Sequence, residues 1–88
     1  MITINGIEFP NNSQAIILEP RECHSPAIIG YDCERDVAIY SERLFIMSLI
    51  TCQGFTYEES IEWYSYNTLG THMSNYPVFI TDDGEEAL

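Results

Sequence analysis

The sequence predicts a single α+β domain in which an α-helical hairpin packs on a small antiparallel β-sheet. A length of 88 residues fits one domain that spans residues 1–88. A hydrophobic content of 45% is enough for one modest core, unlike the depleted composition of disordered chains. Near Ser41 the pattern changes from β-branched alternation to helical periodicity. The predicted order of elements is therefore β-β-β-β-α-α-β.

The N-terminal part of the chain contains short apolar segments separated by turn residues. Residues 2–9 alternate apolar and polar side chains around Asn5-Gly6, which predicts either one short strand or a tight hairpin. Residues 15–18 are a short apolar run that ends before Pro20. Residues 21–26 are mostly polar, and we expect them to form a loop.

The strongest strand signal is a β-hairpin in the middle of the chain. Residues 27–31 and 37–40 are rich in β-branched side chains, which favour strands over helices. The polar residues 32–36 between them have the length of a hairpin loop. A last strand is predicted at residues 76–81.

Two helices are predicted between these strands. The helix at residues 41–53 begins with a serine N-cap and is apolar over most of its circumference, so we expect it to be covered on two sides. The helix at residues 57–69 follows a capping box formed by Thr56 and Glu59. Gly70 is expected to end this second helix.

The charge of the chain excludes several classes of function. Its 14 acidic and 3 basic residues give a net charge of −11. Binding to phosphate backbones or to anionic membranes depends on lysine and arginine clusters, so we expect neither activity. The expected partner is instead a protein with a basic surface. Residues 82–88 form an acidic tail in which Asp82 and Asp83 are candidate contacts.

Cysteine usage and the N-terminal sequence point to the cytoplasm. Cys23, Cys33 and Cys52 are an odd number of cysteines, and the first residues lack the basic and apolar regions of a signal peptide. We therefore expect reduced thiols and no structural disulfide, with a Cys23–Cys33 bond as the alternative. The spacing of potential ligands fits no structural zinc site, so no bound metal or cofactor is expected.

Acidic and aromatic side chains crowd the second predicted helix. Glu58, Glu59 and Glu62 are either a dipole-stabilised first turn with a solvated face or an acidic recognition patch. Trp63 and Tyr66 are either part of the core or aromatic anchors of an interface. These five residues are the main candidates for partner binding. No catalytic motif accompanies them, and we expect no enzyme activity.

From residue 27 onward the chain resembles a class of small proteins from phages and prophages. The matching features are a hairpin that ends in Tyr40, an apolar helix, the sequence G-F-T-Y-E-E-S-I-E-W at residues 54–63, Tyr66-Asn67, and a late strand at residues 77–80. The resemblance implies a phage origin, a location in the host cytoplasm and no catalytic residues. Small acidic phage proteins are often inhibitors of host machinery, including anti-CRISPR proteins that occupy a nucleic-acid channel.

The expected function combines this resemblance with the charge. A basic groove that holds phosphates also accepts clustered carboxylates. We therefore expect a phage-type inhibitor, similar to anti-CRISPR proteins, that binds the nucleic-acid-binding surface of a host defence protein as a nucleic-acid mimic. The alternative is a small phage structural or accessory protein that self-assembles through its aromatic surface, which leaves a homodimer open.

Overall fold

In a computed structural model that describes residues 1–68 and 74–81, the chain folds as an α+β structure, which confirms the predicted fold class. Two small β-sheets are combined with three α-helices in the described part of the chain. The strands are β1 (Ile2–Ile4), β2 (Ile7–Phe9), β3 (Ile28–Asp32), β4 (Val37–Ser41) and β5 (Val78–Ile80), and the helices are α1 (Arg21–His24), α2 (Glu42–Thr51) and α3 (Tyr57–Thr68).

The larger sheet has the order β3-β4-β5 and is mixed rather than antiparallel. Strands β3 and β4 form the predicted antiparallel hairpin, but β5 pairs with β4 in parallel. The connection from β4 to β5 contains both α2 and α3, and a long crossover of this kind returns the chain in the same direction. The expectation of a purely antiparallel sheet is therefore wrong for this last strand pair.

Strands β1 and β2 form a separate two-stranded hairpin at the N-terminus. Asn5 and Gly6 both have positive φ, 51° and 79°, which is the requirement of the tight type I′ turn. Of the two predicted alternatives for residues 2–9, the hairpin is the one that forms. The Asn5 side-chain amide donates to the carbonyl oxygen of Ile28 at 3.0 Å, so this hairpin is tied to the start of β3.

The stretch expected to be a loop at residues 21–26 is instead largely helical. Helix α1 is followed at once by a 3₁₀ turn at Ser25–Ala27. The carbonyl oxygen of Pro20 accepts hydrogen bonds from the backbone of Cys23 and of His24, each at 3.1 Å. A single helical turn is too short to show a hydrophobic period, which explains why the sequence did not predict it.

Both predicted helix N-termini are capped as expected. The Ser41 hydroxyl accepts a hydrogen bond from the Leu44 backbone at 3.2 Å. In the capping box, the Thr56 hydroxyl accepts from the Glu59 backbone at 3.1 Å, and the Glu59 carboxylate accepts from the Thr56 backbone at 2.9 Å. These bonds satisfy amide groups that would otherwise have no partner within the helix.

The C-terminal ends of the two predicted helices can be compared with the structure only for α2. Helix α2 stops at Thr51, short of residue 53, and Gly54 adopts a left-handed φ of 77° just beyond it. A glycine at this position lets the chain leave the helix without a steric penalty from a Cβ atom. The predicted end of α3 at residue 69 and the stop at Gly70 lie outside the described residues.

The core is centred on the fully buried ring of Phe45 in α2. Its centroid lies 5.2 Å from that of Phe79 in β5, 5.9 Å from Tyr40 in β4 and 6.4 Å from Tyr64 in α3. Strands and helices are thereby packed through one aromatic cluster. The buried residues of this core are Phe9, Ala27, Ile28, Ala38, Tyr40, Phe45, Leu49, Tyr64 and Phe79.

A disulfide bond joins Cys23 to Cys52, with 5.6 Å between their Cα atoms. It links α1 to the residue after α2, while Cys33 is an exposed free thiol. The expectation of no structural disulfide is therefore wrong, and so is the Cys23–Cys33 alternative. The bonded cysteines are 29 positions apart in the sequence, a separation that gives no spacing signal, and only the fold brings them together.

Candidate functional site

Helix α3 places two glutamates in its first turn, where the partial positive charge of the helix N-terminus stabilises them. The capping box starts the helix at Tyr57 and fixes the direction in which its later residues point. Glu58, Glu59 and Glu62 are all exposed. The helix dipole explains why carboxylates are stable at the start of α3. Their exposed side chains are accessible to another molecule.

Four of the predicted contact residues line one open cleft. Glu59, Glu62, Trp63 and Tyr66 surround it together with Phe55, and its volume is about 370 Å³. Their spacing along α3 is i, i+3, i+4 and i+7, which puts them side by side on one helix face. We call this surface the acidic–aromatic cleft. It brings two negative charges next to three aromatic rings.

Trp63 belongs to both the core and the cleft. Its ring centroid lies 5.6 Å from that of Phe45 with an interplanar angle of 43°, so the core supports it from below. The side chain is nevertheless partly exposed and lines the cleft. Tyr66 differs, because 86% of its surface is exposed. The two aromatic residues predicted as either core or interface therefore occupy different environments.

The three glutamates also differ in their surroundings. Glu59 is oriented by its hydrogen bond to the Thr56 backbone, while Glu62 lies one turn further along the cleft. Glu58 is exposed but is not among the residues that line the cleft, since its position on the helix turns it toward a neighbouring face. The three glutamates are close together in the sequence. Only Glu59 and Glu62 line the cleft together with the aromatic rings.

The remaining candidates of the acidic tail, Asp82 and Asp83, lie outside the described residues.

A polar network at the junction of α1 and α2, with His24 and Ser48 buried and Gln53 exposed, was not predicted from the sequence. The fully buried ring of His24 has Nδ1 at 2.7 Å from the Ser48 hydroxyl and Nε2 at 2.7 Å from the Gln53 side-chain oxygen. Burial lowers the pKa of His24, and the hydrogen bond to Gln53 partly opposes this shift. We call His24, Ser48 and Gln53, with the adjacent disulfide, the junction network.

The histidine and the serine of the junction network lie inside the fold. A serine next to a histidine resembles part of a catalytic triad, but both side chains are buried. The Ser48 hydroxyl also lies 2.6 Å from the carbonyl oxygen of Phe45 in its own helix. The only sequence signal for this site is the order Cys23-His24 and Cys52-Gln53, which places a polar residue after each bonded cysteine.

A second surface on the helical pair is mostly apolar. A groove of about 270 Å³ lies between α2 and α3, with Ile46, Met47 and Tyr57 among its lining residues. Met47 is 47% exposed and Tyr57 is 65% exposed, which is high for large apolar side chains. This groove is separate from the acidic–aromatic cleft, because none of the lining residues is shared.

Within residues 1–68 and 74–81, no cluster of three His, Cys, Asp or Glu side chains has a geometry that could hold a metal ion. Across the same described residues, no helix is both long and apolar enough to cross a membrane.

Comparisons with known proteins give no further assignment. No protein family, no curated protein and no solved structure matches this chain. The resemblance to phage proteins therefore stays a prediction.

Proposed function

We propose that this protein is a non-enzymatic inhibitor of the phage type that binds a basic, nucleic-acid-binding surface of a host defence protein. The observation that carries the proposal is the acidic–aromatic cleft, where carboxylates and aromatic rings share one helix face. This combination suits a basic protein surface, since negative charge attracts it and aromatic side chains are frequent energetic centres of interfaces. The proposed location is the host cytoplasm.

The two kinds of side chain have different roles in this proposal. A net charge of −11 attracts a basic groove over a long range and raises the association rate, most strongly at low salt. Carboxylates within about 10 Å of one another along α3 are spaced comparably to successive phosphates of a nucleic acid. The aromatic rings then slow dissociation, because they bury apolar area against the partner.

Capture of partners from host lysate at low and high salt, read by mass spectrometry, tests this function. The matched variant combines Glu58→Gln, Glu59→Gln and Glu62→Gln, which removes the charge of α3 and keeps the shape of each side chain. We expect the native protein to retain a basic host protein at low salt, and the variant to bind it more weakly with a shallower salt dependence. Unchanged affinity and salt dependence would contradict the proposal for this helix.

A second candidate function is self-assembly as a phage structural or accessory protein. The exposure of Met47 and Tyr57 in the apolar groove between α2 and α3 favours it. Light scattering over a range of protein and salt concentrations distinguishes it from the first, since salt weakens binding to a basic surface but does not weaken self-association through an apolar face. A homo-oligomer that Met47→Ser disrupts would support self-assembly.

A further inference from the structure

The acidic–aromatic cleft is an open site with room for a single side chain of a partner protein. Its volume of about 370 Å³ lies at the low end of small-ligand pockets, which span roughly 300–1,000 Å³. Phe55 and Trp63 provide ring surface, while Glu59 and Glu62 provide negative charge. A group that satisfies both must be positively charged and must also be able to stack on a ring.

We infer that the cleft binds the guanidinium group of an arginine side chain from the partner protein. This inference depends on the proposed function, because the partner's basic surface supplies the arginine. The guanidinium donates hydrogen bonds to the carboxylates of Glu59 and Glu62 and stacks against the indole ring of Trp63. Tyr66, which is 86% exposed, also lines the cleft and can add ring contact to the bound side chain.

Arginine fits this cleft better than lysine for three reasons. Its planar guanidinium has five N–H donors and can pair with one carboxylate through two bonds while it donates to the other, whereas an ammonium group acts as a point charge. Its charge is delocalised and more weakly hydrated, so less hydration is lost when it stacks on a ring. Arginine is also found more often than lysine in cation–π contacts, for which tryptophan is the best ring. An open cleft cannot fully desolvate its ligand, which makes the weakly hydrated cation the favoured one.

The cleft is also partly preorganised. The Trp63 ring contacts the buried Phe45, and the Glu59 carboxylate is held by the capping box through its hydrogen bond to the Thr56 backbone. A carboxylate has two oxygens that together accept several hydrogen bonds, so Glu59 can cap the helix and accept from a ligand at the same time. Side chains that are already ordered lose less entropy on binding.

Titration with short peptides tests the inference on the intact protein. The probes are neutral glycine-rich peptides that carry one central arginine, lysine or glutamine. Trp63 is the only tryptophan of the chain, so its indole N–H signal in NMR reports on the cleft directly. We expect a saturable shift of this signal with the arginine peptide, a several-fold weaker response with the lysine peptide, and none with the glutamine peptide.

Two single variants distinguish binding of the peptide in the cleft from attraction by the overall charge of the protein. Glu62→Gln removes a carboxylate that lines the cleft, and we expect about five- to tenfold weaker binding of the arginine peptide. Glu58→Gln removes the same charge from the same helix outside the cleft, and we expect less than about a twofold change. Equal losses in both variants, equal binding of the two cationic peptides, or no response of Trp63 would each overturn the inference.

The same measurements distinguish failure of the inference from failure of the proposed function. If the arginine peptide shifts Trp63 but host lysate yields no basic partner, the cleft inference is supported and the inhibitor proposal fails. If the triple glutamate variant weakens binding of a captured basic partner while Glu62→Gln alone leaves that affinity unchanged, the inhibitor proposal is supported and the cleft inference is overturned.

Discussion

The junction network and the acidic–aromatic cleft use polar side chains in opposite ways. In the junction network, the His24 ring is hydrogen-bonded to Ser48 and to Gln53, next to the Cys23–Cys52 disulfide. In the cleft, Glu59 and Glu62 face solvent and offer acceptors to another molecule. A polar group that is buried stabilises the fold only if it keeps its partners, whereas an exposed carboxylate contributes little to stability. Changes at the first site should therefore alter stability, and changes at the second should alter binding.

The largest effect is expected at Phe45, which contacts both regions. Its ring centroid lies 4.7 Å from that of His24 and 5.6 Å from that of Trp63. Phe45→Ala should lower the free energy of unfolding by about 3–5 kcal/mol, because it leaves a cavity under both sites. Urea denaturation measures the loss. Phe45→Leu fills part of the space and should cost much less, and equal losses for the two variants would contradict this packing role.

The next effect is loss of the disulfide. Cys23→Ala combined with Cys52→Ala should lower the free energy of unfolding by about 3–4 kcal/mol, since the bond closes a long loop in the unfolded chain. Thermal unfolding with and without reductant gives the same comparison for the native sequence. Cys33→Ala is the matched control, because that thiol is exposed and unbonded. A reductant-insensitive melting temperature would show that this bond does not stabilise the fold.

These two predictions depend on features that the sequence revealed to very different degrees. Periodicity and β-branched alternation were sufficient for α2, α3 and the β3–β4 hairpin, because those elements follow local rules. The capping box of Thr56 and Glu59 was likewise readable, since its two hydrogen bonds join residues three positions apart. The elements predicted correctly are those that depend on interactions between residues close together in the sequence.

The junction network and the parallel pairing of β5 could not be predicted from local sequence patterns. The bond between Cys23 and Cys52 and the contact of His24 with Ser48 join residues that only the tertiary fold brings together. The cleft is an intermediate case. Helical spacing alone predicts that Glu59, Glu62 and Trp63 share a face, but not that Phe55 lines the same cleft or that Glu58 does not.

The third prediction concerns pH and belongs to the junction network. Because burial lowers the pKa of His24, the folded state takes up a proton less readily than the unfolded state. Stability should therefore be fully present above the ordinary histidine pKa of about 6.5 and should fall as the pH drops below it toward the lowered value in the folded protein. Denaturant unfolding between pH 7.5 and about 5 measures this slope.

A matched pair of variants identifies the histidine that causes the dependence of stability on pH. The chain has two histidines, so His72→Gln should leave the slope in place and His24→Gln should remove it. The comparison uses the change with pH within each variant, because His24→Gln also alters the hydrogen bonds to Ser48 and Gln53. A slope that persists in His24→Gln would place the titrating group elsewhere. Peptide binding at the cleft should show no corresponding change, since His24 does not line it.

The smallest effect on stability is expected at Thr56, which caps α3 and is also hydrogen-bonded to a glutamate of the cleft. Its hydroxyl caps α3 by accepting from the Glu59 backbone, while its own backbone amide donates to the Glu59 carboxylate. Thr56→Ala removes the first bond and leaves the second, so it should lower the free energy of unfolding by about 1 kcal/mol. Thr56→Ser retains the hydroxyl and should be close to neutral.

The same variant also tests whether capping and recognition are separable. The Glu59 carboxylate keeps its backbone donor in Thr56→Ala, so affinity for the arginine peptide should change by less than about twofold. Glu62→Gln should do the reverse, weakening the peptide while the free energy of unfolding stays within about 0.5 kcal/mol of the native value. If Thr56→Ala left stability unchanged and abolished binding, Thr56 would be a recognition residue. The separation between a structural helix start and an exposed binding face would then be wrong.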